Sequence, residues 1–405
     1  MYDVIIIGAG PAGLSAAATT ANQGLEVLVV DEYMKAGGRL LGQLYEEPDG
    51  TYWNGIKESN HLYERANQSG AEIKLGTSIL NIEKSGDVWL VYTEKDTYET
   101  SHLLLATGAA ESPSPVPGWT LPGVMSVGAA QVMTNVHRVK PGKRGVIIGV
   151  NPLAAVIASE LQMAGVEVTA LTLPQMNGLN EEAAHPKQVM NQLLHVAHMA
   201  PSALIRQGSK WMKPSIMQDL GITFYPKSGF KMWGIPVHLR KAVTEILGDE
   251  KVAAVKLATV KPNGDVIEGT EEIITCDFVC IAGGLYPLTE LAAVAGCPFY
   301  LVDELGGYVP LHNERMETAL DGLYVAGNIT GIEGAKVAIA QGVTAGLTMA
   351  SNHGVQGLKD RIEQSIEEIE QTRDNAPFHF HPDVKKGKQI VQEKWEEMMA
   401  AEQPL

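Results

Sequence analysis

The apolar positions of this chain come in short unbroken runs, not in alternation with polar ones. Asp3-Val4-Ile5-Ile6-Ile7, Leu25 to Val30 and His102-Leu103-Leu104-Leu105 stand out in the first hundred or so positions. A short continuous run reads as a strand covered on both faces, which is the habit of parallel sheets. Between the first two runs lie Gly8-Ala9-Gly10-Pro11-Ala12-Gly13 and a stretch of small residues, a turn and a helix, so the opening is a βαβ unit. A helix follows over 55–69, then strands over 72–74, 78–83 and 88–93. Pro113, Pro115, Pro117 and Gly118 punctuate a linker. A second βαβ begins at Gly145-Val146-Ile147-Ile148-Gly149, with a helix over 153–164 and a strand over 167–171.

Residues 175–221 are rich in Met, His and Pro and read as mostly helical, their Met and His spaced as core residues. A strand is expected over 222–225, a hairpin pairing 252–259 with 266–268, and a strand over 278–282. Near the end come a strand closing at Gly327-Asn328 and a Gly- and Ala-rich helix over 334–349. A charged helix, the segment Phe378-His379-Phe380-His381-Pro382 and an amphipathic helix complete the chain. The two histidines at i,i+2 are a candidate metal pair, but a surface segment explains them more simply. The pattern predicts an α/β protein with two Rossmann-like three-layer dinucleotide-binding domains, the second inserted into the first, and a C-terminal helical tail.

Each residue of the first turn has a mechanical reason. Gly8 permits the tight turn, Gly10 lets backbone approach a pyrophosphate, and Gly13 lets helix and strand pack closely. The helix start offers free N–H groups and a positive dipole end. Asp31 or Glu32, closing the second strand, is placed to accept a hydrogen bond from a ribose hydroxyl. In the second unit the corresponding text is Gly149-Val150-Asn151-Pro152-Leu153-Ala154. Asn stands there in the close-approach position, and the following strand ends in Thr172-Leu173-Pro174 without an acid. NAD(P) binding is therefore not expected at this second site.

With 405 residues, 45% hydrophobic and 19% charged, the chain is large enough for two domains with ample cores. Its formal charge of −16 argues against nonspecific nucleic-acid binding. A strand from residue 2 leaves no basic leader, so no signal peptide is expected, and no apolar run reaches the length of a membrane span. Three cysteines point to a reducing compartment, the cytoplasm. Cys276 and Cys280 fall in one apolar run read as a strand, roughly 13 Å apart and too far for a disulfide. No CxxC or Cys-rich cluster occurs, which excludes an intrinsic iron–sulfur cluster and a dithiol couple.

In order, these motifs resemble the two-dinucleotide-domain flavoproteins of the thioredoxin reductase superfamily. The matching text is GAGPAG at 8–13, Asp31, Gly37-Gly38, Ala106-Thr107-Gly108, the degenerate second turn, AGGLYP at 282–287 and YVAGN at 324–328. The resemblance implies FAD at the first site, with NAD, ADP or ATP as alternatives that share its ADP half. It implies that Gly8, Gly10, Pro11, Ala12 and Gly13 hold the pyrophosphate and Asp31 the adenosine ribose, with Glu32 beside it. Gly38 and Arg39 follow in the next loop, and Ile79 would meet the adenine edge through its backbone. Ala106, Thr107 and Gly108 would close over the dinucleotide, and Gly327 and Asn328 would meet the ribityl chain. Relatives usually carry Asp where Asn328 stands. The implied domains are an FAD-type domain over 1–115 and 305–350, an NAD(P)-like domain over 140–290, and a tail over 351–405 offered as a partner contact.

A closer resemblance is to alpha-type subunits of multi-subunit amine and imino-acid dehydrogenases: dye-linked proline and hydroxyproline dehydrogenases, opine oxidases, hydrogen cyanide synthase and heteromeric sarcosine oxidase. It rests on PGWTLPGV at 117–124, APSALIR at 200–206 and GLYPLTEL at 284–291. It implies a partner, a smaller FAD-dependent amine-oxidising subunit. Since this chain has no Cys-rich module, it also implies a separate small [2Fe–2S] subunit if a cluster is used. Three functions are open: an electron-transfer subunit of such a dehydrogenase, a self-sufficient NAD(P)H-dependent flavin oxidoreductase, and a scaffold holding an adenine nucleotide. None needs a protein nucleophile, so no catalytic acid or base is named.

Overall fold

The continuous apolar runs become the parallel strands at the centre of two sheets. The computed structural model describes residues 1–46, 50–196, 220–226, 228–376 and 379–402. The APSALIR segment at 200–206 and Phe378 lie outside the described residues, as does most of the Met-, His- and Pro-rich stretch. The described chain forms two compact units. The first takes residues 1–41, 54–110 and 285–405, and the second 42–53 and 111–284. The tail is thus part of the first unit.

In the first unit the strand order is Glu72–Lys74, Val27–Val30, Tyr2–Ile7, Thr97–Leu105, Val88–Thr93 and Ile79–Ser85, with Leu323–Val325 also against Thr97–Leu105. The pairings among the first four and with Leu323–Val325 are parallel, and the last two are antiparallel. Ile5 stands between Leu28 and Leu103, all three fully buried, which explains why these runs carry no polar alternation. Each such side chain withdraws apolar surface worth about 1.5–3 kcal/mol.

Two helices cover this sheet side by side. Pro11–Ala21 and Ala335–Asn352 approach so closely that a Cβ on Gly342 would lie 2.1 Å from the Ala12 carbonyl oxygen. Gly55–Gln68 is capped by Asn54, whose side chain accepts from the Lys57 N–H at 3.0 Å, and buries Gly55, Ser59, Leu62 and Ala66 at helical spacing. In the tail, Lys359–Asp374 and Val384–Glu402 are helices. Val384 and Val391 of the second bury against Val302, Leu305, Val309 and Leu311.

The second unit repeats the design. Val124–Ser126, Phe278–Ile281, Arg144–Ile148, Glu167–Pro174 and Ile235–Leu247 run parallel, then Ala254–Thr259 and Glu272–Thr275 continue antiparallel. Three expectations are corrected here. Residues 222–225 are no strand: the Phe224 N–H donates to the Leu220 carbonyl at 2.9 Å and that of Tyr225 to Ile222 at 3.2 Å, bonds of a helical turn. A strand would put Ile222 and Phe224 on one face, yet Ile222 is 1% exposed and Phe224 78%.

The expected hairpin is also replaced. Ala254–Thr259 pairs with Ile235–Leu247 and Glu272–Thr275, and Val266 makes only an isolated bridge to Val260. Ile235–Leu247 escaped the sequence reading because Pro236 and Arg240-Lys241 interrupt its apolar pattern. Its pairing with Glu167–Pro174 accommodates the interruption through a register shift between Thr172 and Leu173. Finally, the run holding Cys276 and Cys280 is broken at Cys276-Asp277, where Asp277 turns to accept from the Lys143 and Arg144 N–H groups. All three cysteines are free and buried.

Candidate functional site

In the first unit three turns follow the carboxyl ends of parallel strands: 8–13 after Tyr2–Ile7, 106–108 after Thr97–Leu105, and 327–328 after Leu323–Val325. The edge where such strands end is where open α/β sheets bind ligands. The turns are tied to the sheet by backbone bonds, Gly8 N–H to Val30 O at 2.8 Å, Ala106 N–H to Ile7 O at 2.8 Å and Ala326 N–H to Leu105 O at 3.1 Å.

The glycines are forced. Gly8 has φ +108°, and a Cβ there would lie 2.3 Å from the Ala106 carbonyl oxygen; on Gly13 it would lie 1.9 Å from that of Gly8. Gly10 is different: a Cβ there meets nothing within 4 Å. It precedes a helix whose opening N–H groups no side chain caps, with Pro11 at its first position.

Asp31 sits under the turn, its carboxylate accepting from the Ala9 N–H at 2.6 Å and the Tyr33 N–H at 2.8 Å, while Glu32 is exposed beside it. The Asp31 main chain bonds Lys74 and Thr77, which leads the chain on to Ile79 at the start of the next strand. The loop of Gly37 and Gly38 folds back over the turn. Gly37 N–H donates to Ala9 O at 2.7 Å, a Cβ on Gly38 would come 3.3 Å from the Gly10 Cα, and the Arg39 Nε donates to the Ala109 carbonyl at 3.0 Å. Thr107 donates its hydroxyl to the Leu288 carbonyl at 2.6 Å, and Gly108, at φ +78°, has open space where a Cβ would stand. Gly8, Gly10, Pro11, Ala12, Gly13, Asp31, Gly38 and Ala106 to Gly108 are thus brought into one neighbourhood. Gly327 joins them, since a Cβ on it would lie 3.0 Å from that of Ala12. These residues fit a dinucleotide: uncapped helix amides, a close-approach glycine and an acid at the strand end.

The segment after Gly327 takes part in a buried ion cluster that sequence reasoning missed. Glu333, 7% exposed, meets the Arg373 Nε at 2.6 Å and Nη2 at 3.1 Å, and the Lys388 Nζ at 3.4 Å. Lys388 also donates to the Thr330 carbonyl and hydroxyl at 2.8 and 3.0 Å. Burial pushes the Lys388 ammonium down to about 8, against the pull of Glu333. Burial would raise the Glu333 carboxyl, but Lys388 and Arg373 hold it below its ordinary range. His379 and Phe380 line a small cavity at the start of Ala335–Asn352, with Ile332, Glu333, Gly334 and Val337. The two tail helices carry several basic residues each, and nothing in their local pattern singles out Arg373 or Lys388. Among the described residues no group of three or more His, Cys, Asp and Glu side chains is placed to hold a metal.

The second unit reproduces the first turn's backbone and closes it with a side chain. Gly149 N–H donates to Thr172 O at 2.7 Å and Ala282 N–H to Ile148 O at 2.7 Å, as at the first turn. A Cβ on Gly149 would lie 2.2 Å from the Ala282 oxygen. Asn151 caps the helix Pro152–Met163: its Oδ1 accepts from the Ala154 N–H at 2.9 Å, and its Nδ2 donates to the Ala282 carbonyl at 3.0 Å. The place held by Asp31 in the first unit belongs to Leu173, which is fully buried.

A family described as pyridine nucleotide-disulphide oxidoreductase is matched over residues 2–342. The chain belongs to that family. Membership makes it an FAD-dependent oxidoreductase. Among relatives of this pyridine nucleotide-disulphide oxidoreductase chain, an opine oxidase subunit of Rhizobium meliloti (strain 1021) is 28% identical over 370 residues, 87% of this chain and 72% of that one. Hydrogen cyanide synthase subunit HcnB of Pseudomonas aeruginosa is 28% identical over 356 residues, 85% of this chain and 70% of that one. In two further opine oxidase relatives the chain spans only 65% and 63% of the length. The fold matches that of L-proline dehydrogenase from P. horikoshii with a TM-score of 0.63 at 21% identity, over 91% of this chain and 58% of that one. No helix among the described residues is long and apolar enough to cross a membrane.

Proposed function

We propose that this chain is the nucleotide-binding electron-transfer subunit of a multi-subunit dehydrogenase that oxidises a small secondary amine or imino acid, of the proline, hydroxyproline, opine or sarcosine kind. The observation that carries it is the contrast between the two turns: one open at Gly10, one capped by Asn151. A self-sufficient NAD(P)H-dependent enzyme needs the second turn to accept a nicotinamide cofactor, and there the amide that a phosphate would use is already bonded. The dithiol that would serve a disulfide substrate is absent from the sequence. The printed names of relatives, subunits of opine oxidase and hydrogen cyanide synthase, support a place in a complex.

FAD is the cofactor proposed for the first site, where it would supply one- and two-electron redox chemistry. Gly8 to Gly13 would hold its pyrophosphate, Asp31 its adenosine ribose, Ile79 its adenine edge, Ala106 to Gly108 its enclosing wall, and Gly327 and Asn328 its ribityl chain. The amine C–H bond is broken on a smaller flavin-containing partner, from which this chain receives the electrons. A small [2Fe–2S] subunit is a further proposed partner, and the cytoplasm the proposed location.

The test is to denature the purified protein and identify what it releases. Stoichiometric FAD is the expected result. A colourless protein releasing NAD, ADP or ATP would move the redox chemistry elsewhere in the complex and leave this chain a scaffold. Full amine:dye reductase activity from this chain alone would refute the division of labour.

A further inference from the structure

The buried ion cluster of the tail is a costly feature for a unit that already has an apolar core. Glu333, Arg373 and Lys388 lie in a setting where apolar side chains of similar shape often serve stability as well. Their arrangement has a direction. Lys388 donates to the Thr330 hydroxyl at 3.0 Å, and that hydroxyl donates to the Gly327 carbonyl at 2.9 Å. Glu333, gripped by Arg373 and Lys388, accepts from the Gln341 Nε2 at 3.4 Å, and the Gln341 Oε1 accepts from the Gly327 N–H at 2.8 Å. The Glu333 N–H in turn donates to the Asn328 Oδ1 at 3.3 Å. Thr330 and Gln341 are at most 1% exposed, so water does not compete for these bonds. Both polar groups of the Gly327 backbone, and the Asn328 side chain, therefore end in contacts that lead back to the tail.

We propose that Arg373 and Lys388 are positioning residues for the nucleotide site: through Glu333, Thr330 and Gln341 they fix the turn Gly327-Asn328, so the tail sets how tightly the first unit holds its nucleotide. This rests on the proposed reading of the first site. Gly327 is held at φ +81° and continues at once into the Asn328–Thr330 turn, so a small change in its peptide planes would redirect the Asn328 side chain. Tail packing by itself is supplied elsewhere, by Val384 and Val391 in the apolar cluster around Leu305.

The experiment titrates the full chain, stripped of nucleotide, with FAD, ADP and NAD in parallel. It compares the parent with Lys388→Gln and with Val391→Ala, which loosens the tail without touching the polar chain, and records melting temperature for each. Lys388→Gln is expected to raise the FAD dissociation constant at least tenfold and to shift the bound-flavin absorption spectrum. Val391→Ala is expected to lower the melting temperature at least as much with an unchanged constant. Should Lys388→Gln fail to fold, the neutral triple variant Glu333→Gln/Arg373→Met/Lys388→Met carries the same comparison. A parent that binds one of the three nucleotides with a constant untouched by the polar variants overturns the proposal alone, and so does an equal loss in Val391→Ala. A parent that binds none of them overturns the reading of the site, and the proposal with it.

Discussion

The two βαβ turns are built on the same backbone plan and differ in what fills it. Gly8 and Gly149 have φ of +108° and +114°, and each has no room for a Cβ against a neighbouring strand's carbonyl. Each helix then starts with a proline, Pro11 and Pro152. At the next level they part. Gly10 leaves its helix amides free, whereas Asn151 spends its own side chain on the Ala154 amide and the Ala282 carbonyl. Asp31 stands at the end of one strand and Leu173, fully buried, at the end of the other. The lesson is that the shape of a dinucleotide fold and its ligand chemistry are separable. Shape resides in the tight-turn glycine that both units keep, Gly8 and Gly149, and chemistry in two positions where side chains are free to vary.

The comparison breaks most severely at Gly13. A methyl there would stand 1.9 Å from the Gly8 oxygen and 3.2 Å from Ile6 Cγ2, while Ala154 holds the matching place in the second unit. Gly13→Ala is expected to cost about 3 kcal/mol, the upper range of overpacking, and to release the nucleotide, read as a lower urea midpoint and a colourless preparation. The next effect is confined to the second unit. Glu160, 3% exposed, accepts from the Leu44 N–H at 3.1 Å, Gln131 at 2.8 Å and Asn135 at 2.9 Å, pinning the 42–53 segment. Glu160→Ala removes the acceptor of the buried Gln131 amide and of the half-buried Leu44 N–H, and leaves the buried Asn135 amide only its bond to the Gly42 carbonyl, at about 2 kcal/mol or more.

Glu160 also carries a pH signature. Burial pushes its carboxyl up to about 7 from an ordinary 4.5. The folded chain therefore binds this proton more readily than the unfolded chain between those values. Stability from this group rises as pH falls from about 7 toward 4.5, and is lost as pH climbs back through 7. Urea midpoints at pH 5.5 and 7.5 are expected to differ in that direction in the parent, by less in Glu160→Gln. An unchanged difference would show that another group sets it.

How much of this was legible beforehand follows from the range of the interactions. The parallel strands were readable because burial on both faces leaves continuous runs such as Val27–Val30, and the two turns because glycine at positive φ has no substitute. Asn151 was readable as damage, though the sequence did not say that its side chain would cap the helix. Ile235–Leu247 was hidden because its pairing tolerates Pro236 and a register shift, and Ile222 because an isolated apolar cluster gives no period. The Glu333–Arg373–Lys388 cluster joins positions 40 and more apart in sequence, and no local pattern announces such a pairing. Glu160 looked like one more polar residue on a helix; only the arrival of Leu44, Gln131 and Asn135 around it makes it buried and hydrogen-bonded.

The smaller effects sharpen the contrast by exchanging the two positions that differ. Gly10→Asn adds a side chain where nothing lies within 4 Å, so stability should stay within about 0.5 kcal/mol of the parent. Nucleotide affinity should fall at least tenfold, about 1.4 kcal/mol, because the new side chain takes the amide that the phosphate needs. The reverse exchange, Asn151→Gly, forfeits a few tenths of a kcal/mol from the cap and about 1 kcal/mol from the bond to Ala282. It frees the amide but supplies no acid, since Leu173 still closes the strand. A fluorescence titration of Asn151→Gly with NADH and NADPH up to millimolar should therefore show no saturable second site. Saturation in that single variant would mean that Asn151 alone keeps the second turn shut, and that the missing acid matters less than the free helix amide.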